Sequence, residues 1–322
     1  MAAEAAGLYA LVTSELSQPA PDSAGLLADE IRRRHGDAVA AVIFYGSCLR
    51  KHTDEGVLDF YVIVDCYRAA YRSRYLRAVN AALPPNVFFL ELESPIGTLR
   101  SKYAVMSTSD FQRAVSPDAP RSGIWARFCQ PARVVWARDD TARRSVAAAA
   151  AASITTALEV GIPLLPGESD VVEFGIEDFW QNTLAETYAA EMRPESPDTI
   201  RSVYLAAPTR FKRAARDGLE ALAAAGRLEI AWVGERAQVT LAAGRRHAAT
   251  RSWQRRKRRR KLVYLVSLLK SATTFGDWLP YVLWKLERHT GTKVELSDRQ
   301  RRHPLIFAWG AFARVLRNRV LR

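Results

Sequence analysis

The sequence predicts a mixed-sheet α/β domain, then a helical module that closes in a β-hairpin, then a basic amphipathic C-terminal region. Three observations carry that reading. Apolar runs of strand length alternate with segments of helical period between residues 24 and 137. Helix-period segments dominate from residue 146, and a pair of short β runs lies at residues 228–241. From Arg251 to Arg322 there are 19 Lys and Arg against 4 Asp and Glu, so this segment carries +15 and everything before it −2.

Taken in order, AGLLADEIRRRH (residues 24–35) has helical periodicity, a strand follows at about 38–45, and Gly46-Ser47 turns the chain into a second strand at 57–65. YRAAYRSRYLRAVNAAL (67–83) predicts one helix that ends before Pro84-Pro85, and Asn86 to Glu93 alternates as a third strand. SKYAVMSTSDFQRAV reads as a strand turning into a helix capped by Ser107 or Ser109, with a further strand at Ala132 to Ala137. The Ala-rich run Ser145 to Leu158 predicts a buried helix rather than a membrane span, limited by Glu159 and Pro163. A helix at about 176–192, the Pro-broken MRPESPD, the helix TRFKRAARDGLEALAAAG and two β runs around Gly234-Glu235 complete a winged-helix-like pattern. The expected division is therefore 1–145, 146–246 and 247–322.

The last region holds two features. WQRRKRRRK (Trp253 to Lys261) precedes an apolar stretch that Lys270 and Asp277 interrupt too early for a span. The final residues place Leu305, Trp309, Phe312, Leu316 and Val320 on one helical face with arginines largely away from it, the pattern of an interfacial helix. Such a local positive field favours a polyanionic partner, either an anionic lipid surface or nucleic acid.

At 322 residues, 48% hydrophobic and 25% charged, the chain is long enough for two domains with real cores, and disorder is excluded as its general state. Cys48, Cys66 and Cys129 have neither metal-ligand nor C-x-x-C spacing, which points to a reducing compartment. The N-terminus reads as neither a secretory signal nor an Arg-rich transit peptide, so a cytoplasmic location is expected.

The chemistry concentrates in Phe44 to Asp65. A Gly-Ser turn closing one strand lets backbone amides approach phosphates, and a carboxylate opening the adjacent strand, Asp59, can hold the Mg²⁺ that bridges them. Nucleotidyltransferases of the polymerase-beta type need that layout. Gly46, Ser47 and Arg50 are the candidate phosphate-binding residues, with Lys51 flanking them. Tyr61 stands where a second carboxylate usually would. Asp65 shares the Asp59 face but lies about 20 Å away along a regular strand, so it reads as a strand-end residue. A second ligand could come from Glu91 or Glu93, and Lys102 could neutralise triphosphate charge. The histidines show no ligand spacing, and neither a Ser-His-Asp triad nor a P-loop is present.

Together, several motifs resemble one family, the mitochondrial-type CDP-diacylglycerol synthases, also described as translocator assembly and maintenance proteins. Its YGSG-type turn and LDFhhxVD strand look like Tyr45-Gly46-Ser47-Cys48 and Leu58 to Asp65, with an aromatic at the Tyr61 place. Its KYGVIS segment resembles Lys102 to Ser107, and its LYxAGRLxKPV segment is similar to Gly123 to Ala132, retaining Arg127 and Pro131. Its LSYxGDxR motif resembles Thr187 to Arg193, and its KGxxTxG ending resembles the segment after Lys270. Cys48, Ala104 and Ala190 replace glycines, and Glu191 replaces Asp.

The resemblance implies transfer from CTP to phosphatidate, giving CDP-diacylglycerol and diphosphate with Mg²⁺, by a protein peripheral on the inner face of the cell membrane. It further implies that Asp59 and Glu191 hold the metal, and that Lys102, Arg127 and Arg193 contact phosphates with Tyr188 beside them. Two alternatives remain at this point: a nucleotidyltransferase for a soluble acceptor, and an inactive transferase fold that binds nucleic acid.

Overall fold

The computed structural model describes residues 2–191 and 195–274. Arg193, the Trp309 helix and the rest of the segment after Thr274 lie outside the described residues. The chain begins with α1 (Ala2–Leu16) and α2 (Asp22–His35), then β1 (Val39–Tyr45), α3 (Ser47–Lys51) and β2 (Leu58–Val64). Two short helices, α4 (Tyr67–Ala70) and α5 (Arg74–Ala82), lead to the hairpin β3 (Asn86–Ser94) and β4 (Gly97–Ser107). Next come α6 (Thr108–Ala114), α7 (Gly123–Phe128) and β5 (Ala132–Ala137).

These five strands form one mixed sheet in the order β3-β4-β2-β1-β5, in which β2 runs antiparallel to β1 and parallel to β4. Being central, β2 is covered on both faces, which is why FYVIV reads as an unbroken apolar run behind Asp59. On one face, Val42, Phe44, Phe60 and Val62 pack against the buried stripe Ala24, Leu27, Ala28 and Ile31 of α2. The other face, with Ala41, Ile43, Tyr61 and Ile63, belongs to a core that continues into the helices that follow.

Those helices are α8 (Asp140–Gly161), α9 (Ile176–Ala190), α10 (Pro197–Leu205) and α11 (Pro208–Ala224). A second antiparallel sheet, in the order β6-β8-β7, is built from β6 (Val171–Phe174), β7 (Glu229–Val233) and β8 (Arg236–Thr240). The architecture is thus mixed α/β, with the larger sheet preceding helical segments. Residue 145 lies within α8, whose Ala147, Ala150, Ile154 and Leu158 join the shared core. Among the described residues, Asp140–Leu164 is the one helical segment long and apolar enough to cross a membrane, and 61% of its apolar window is buried inside the protein.

Three elements depart from the sequence reading. The helix expected over 67–83 is broken, because Tyr71 turns extended to bury its ring among Tyr67, His35 and Phe88, and Ser73 then recaps the chain by accepting from the Leu76 amide. The end of MRPESPD, read as a break, instead starts α10, with Ser196 as its cap and Pro197 in its first turn. The N-terminus forms α1, which packs on α11 and α8 through Leu8, Val12 and Leu16.

A buried ion pair fastens α1. Arg210 Nε lies 2.6 Å from Glu15 Oε2, with the two side chains 12% and 9% exposed. Arg210 also donates to the Cys129 carbonyl. Removing one partner strands the other charge, so R210M is expected to destabilise the protein by about 3–5 kcal/mol in urea unfolding, while E15Q/R210M recovers part of that loss.

Candidate active site

A cavity of about 550 Å³ opens between the mouth of the first sheet and the helices packed beside it. Its position follows from β2, where the half-buried Asp59 stands second, between the buried Leu58 and the apolar run that follows. In the sheet register Asp59 stands opposite Tyr45 on β1 and Lys102 on β4. Lys102 Nζ is 3.1 Å from Asp59 Oδ1, so the carboxylate is held from the side by a cation.

The turn that precedes α3 is fitted to that carboxylate. Gly46 has φ +95, and a Cβ built there would stand 2.9 Å from Asp59 Oδ2. Glycine is therefore required twice, for the backbone angle and for the close approach. Ser47 and Arg50 follow on α3 and line the same cavity, with Arg50 Nη1 donating to Gln130 Oε1 at 3.2 Å. Lys51 is exposed and is not among the lining residues.

The helical side contributes a second charged pair. Arg127 on α7 lies 3.4 Å from Oε2 of Glu191, which ends α9, and also donates to the Gly123 carbonyl at 2.5 Å. Burial opposes the Arg127 charge, but Glu191, with smaller help from Tyr61, Tyr45 and Tyr188, overrides it and raises the guanidinium above its ordinary value. Gly123 makes the contact possible, since a Cβ there would stand 1.8 Å from Glu191 Oε1. Tyr188 lines the cavity one helical turn before Glu191.

Eight of the nine residues expected at the site, Gly46, Ser47, Arg50, Asp59, Lys102, Arg127, Tyr188 and Glu191, thus meet in one cavity, and Arg193 lies outside the described residues. Glu91 and Glu93 do not join them. Both face outward on the edge strand, Glu91 bound to Arg100 at 2.7 Å and Glu93 to Thr98. Asp65 closes the far end of β2 in an ion pair with Arg138 at 2.6 Å. Tyr61 is buried, and its ring packs against Tyr45, Phe111 and Phe128. Burial raises its phenol above the ordinary value, so it stays neutral at the cavity wall.

Sequence reasoning missed Arg121, Gln130, Glu195 and Ser267, which also line the cavity. Ser267 comes from α12 (Arg245–Thr274), a helix that packs against α9 and β3. Trp253 and Lys257 are anchored on Glu186, and Arg246 is buried against the carbonyls of Leu165, Pro166 and Ser169. Of the basic run, Arg256 and Lys257 are thus turned inward on the protein.

At its other end, Lys270 donates to the carbonyls of Leu83 and Pro85. Burial, and secondarily the Arg121 charge, pushes Lys270 down to about 7. Undocked, this lysine has an ordinary, higher pKa, so between about 7 and that value the undocked state binds more protons and docking strengthens as pH rises. Hydrogen-exchange protection of α12 is therefore expected to increase between pH 6.5 and 8.5, and to lose most of that dependence in K270M.

Among the described residues, no group of three or more His, Cys, Asp and Glu side chains converges on a cation position. The donors present suit a different arrangement. Mg²⁺ takes one or two carboxylates and completes its shell with phosphate oxygens and water rather than with a protein cage. Asp59, pressed against a glycine turn and facing a cavity that four cationic side chains line among the described residues, fits that mode. A scan against protein-family models finds none that matches this chain, and a search of curated proteins returns no match.

Proposed function

We propose that this chain is a nucleotidyltransferase of the polymerase-beta type that transfers a cytidylyl group from CTP to phosphatidate. One observation carries the reading: a glycine turn and a strand-mouth carboxylate from the sheet meet Arg127, Glu191 and Tyr188 from the helices in one cavity. The order β3-β4-β2-β1-β5, with Gly46-Ser47 after β1 and Asp59 opening β2, supports the fold assignment. The motif resemblance supplies the identity of donor and acceptor.

The reaction asks little of a general base. A phosphate monoester with second pKa near 6 is largely dianionic at neutral pH. Its oxygen attacks the α-phosphorus of CTP, a new P–O bond forms, the bond to the bridging oxygen breaks, and diphosphate leaves with the electron pair. Catalysis then consists of positioning and charge neutralisation.

Gly46 and Ser47 would cradle the triphosphate, with Arg50 and Lys102 as its cations. Asp59 would hold Mg²⁺, and Glu191 reaches the same cavity as the second candidate, its Oε2 engaged by Arg127. Bound there, Mg²⁺ would supply charge neutralisation to the triphosphate and to the departing diphosphate. Glu191 fixes the Arg127 fork, so that the guanidinium meets phosphate in a set orientation.

Delivery of a lipid acceptor fits the basic C-terminal segment, which would hold the protein on the inner face of an anionic membrane. The test offers labelled CTP and Mg²⁺ with phosphatidate vesicles, with sugar phosphates, or with no acceptor, alongside duplex nucleic acid binding at matched salt. CDP-lipid formed only with phosphatidate is the expected result. A nucleotidyl product on a sugar phosphate alone, or tight duplex binding with no turnover, would replace this reading.

A further inference from the structure

Among the described residues, four cations line the cavity, and they fall into two kinds. Lys102 and Arg127 are each in contact with a carboxylate of the site. Arg50 and Arg121 are not: among the described residues neither has a carboxylate within 4.0 Å. Arg50 Nη1 donates to the Gln130 amide oxygen, and Arg121 Nη1 donates to the Ser267 hydroxyl at 3.2 Å.

The two lie at opposite ends of α7. Arg50 is held at Gln130, past its last turn, and Arg121 precedes its first. The six residues of α7 span about 9 Å. The Arg50 end is the end of Gly46, Asp59 and Lys102, where the donor's phosphates belong. At the Arg121 end, Ile124 follows within the first turn of α7, and Lys270, one turn beyond Ser267, reaches the Pro85 carbonyl, so apolar Ile124 and Pro85, with Val87 next along β3, belong to the lining on this side.

We propose that Arg121, braced by Ser267 of α12, binds the phosphate monoester of the acceptor, and that the apolar collar beside it selects an acceptor whose phosphate is carried on an apolar body. This rests on the transferase reading for its donor and its chemistry, but the binding claim stands on Arg121 itself. A guanidinium partly removed from water, with no carboxylate in contact among the described residues, is poised for a dianion, which returns two charge-assisted hydrogen bonds in fork geometry. Burial already weakens its hold on the proton relative to an ordinary arginine, with Tyr61 and Glu191 opposing that shift from a distance. Ser267 accepts from Arg121 while donating to the Val263 carbonyl at 2.8 Å, so the brace is fixed in its own helix. The attacking oxygen is then held by Arg121 while the reacting α-phosphorus is held from the Asp59 side, with Arg127 between them.

Equilibrium binding to the full chain tests this with three soluble probes, dihexanoyl phosphatidate, glycerol 3-phosphate and CTP with Mg²⁺. Wild type is expected to bind dihexanoyl phosphatidate at least 10-fold more tightly than glycerol 3-phosphate. R121Q is expected to weaken dihexanoyl phosphatidate at least 30-fold and to hold CTP within about 2-fold, R121K to recover part of the loss, and R50Q to weaken CTP instead. Retained CTP binding in R121Q also reports that the variant is folded. Unchanged phosphatidate affinity in R121Q, equal loss of CTP and phosphatidate, or no monoester binding by wild type would each overturn the assignment. Equal affinity for glycerol 3-phosphate would overturn the apolar collar. Phosphatidate binding that depends on Arg121 without any CDP-lipid formed would sustain this site and remove the transferase reading.

Discussion

An alanine at Gly123 is expected to lower nucleotidyl transfer at least 100-fold and to destabilise the protein by about 3 kcal/mol. The new methyl group would stand 1.8 Å from Glu191 Oε1 and 2.4 Å from Arg127 Nη1. Neither neighbour can yield without breaking the ion pair that orients both, because Arg127 is also tied to the Gly123 carbonyl and both side chains are largely buried. The loss is therefore one of site geometry before it is one of chemistry. Gly25 provides the control. It sits within α2, and a methyl group placed there would meet nothing within 4 Å, so G25A is expected to be neutral or to stabilise by about 0.5–1 kcal/mol. Urea unfolding of the two variants, read beside their turnover, separates the effects.

Replacing Asp59 is expected to have the largest effect on turnover with the smallest effect on the fold. Its side chain is only 22% exposed, yet it caps no helix, and its partner Lys102 is 37% exposed. Under the proposed transfer, a fall in turnover of about 10³-fold, near 4 kcal/mol of transition-state stabilisation, is the expected size for losing a charge that would act on the reacting phosphates. D59N keeps the shape beside Gly46 and is expected to lose nearly as much, since shape is not what the carboxylate supplies. The melting temperature should move little in D59N or D59A. A loss of turnover matched by unfolding would assign Asp59 a structural part instead.

How much of this was readable in the sequence follows from where the partners of each residue lie. β2 was legible because a strand buried on both faces writes a continuous apolar run, and Asp59 stands out at its mouth as the polar exception. A serine cap on α6, at Ser107 or Ser109, and the β7–β8 hairpin were legible for similarly local reasons, and Ser107 is the residue that caps. α1 was not, because its Leu8, Val12 and Leu16 find their partners on α8 and α11, more than a hundred residues on. The break at Tyr71 depends on ring contacts with His35 and Phe88, which no helical periodicity records. Within the site, Gly46 and Asp59 came from spacing, and Arg127 and Glu191 from the motif resemblance. Arg121 came from neither, since it lies in a short loop and gains its meaning from Ser267 on a helix far along the chain.

Cytidylyl transfer at this cavity is tested head-on by product formation from α-labelled CTP, Mg²⁺ and phosphatidate, followed for wild type, D59A and E191Q at matched protein concentration. The expected result is CDP-lipid and diphosphate released in equal amounts by wild type, essentially none by D59A, and a reduced rate with E191Q. Equal product from wild type and D59A, or no CDP-lipid from any of the three, would contradict the assignment of this cavity as a cytidylyl-transfer site.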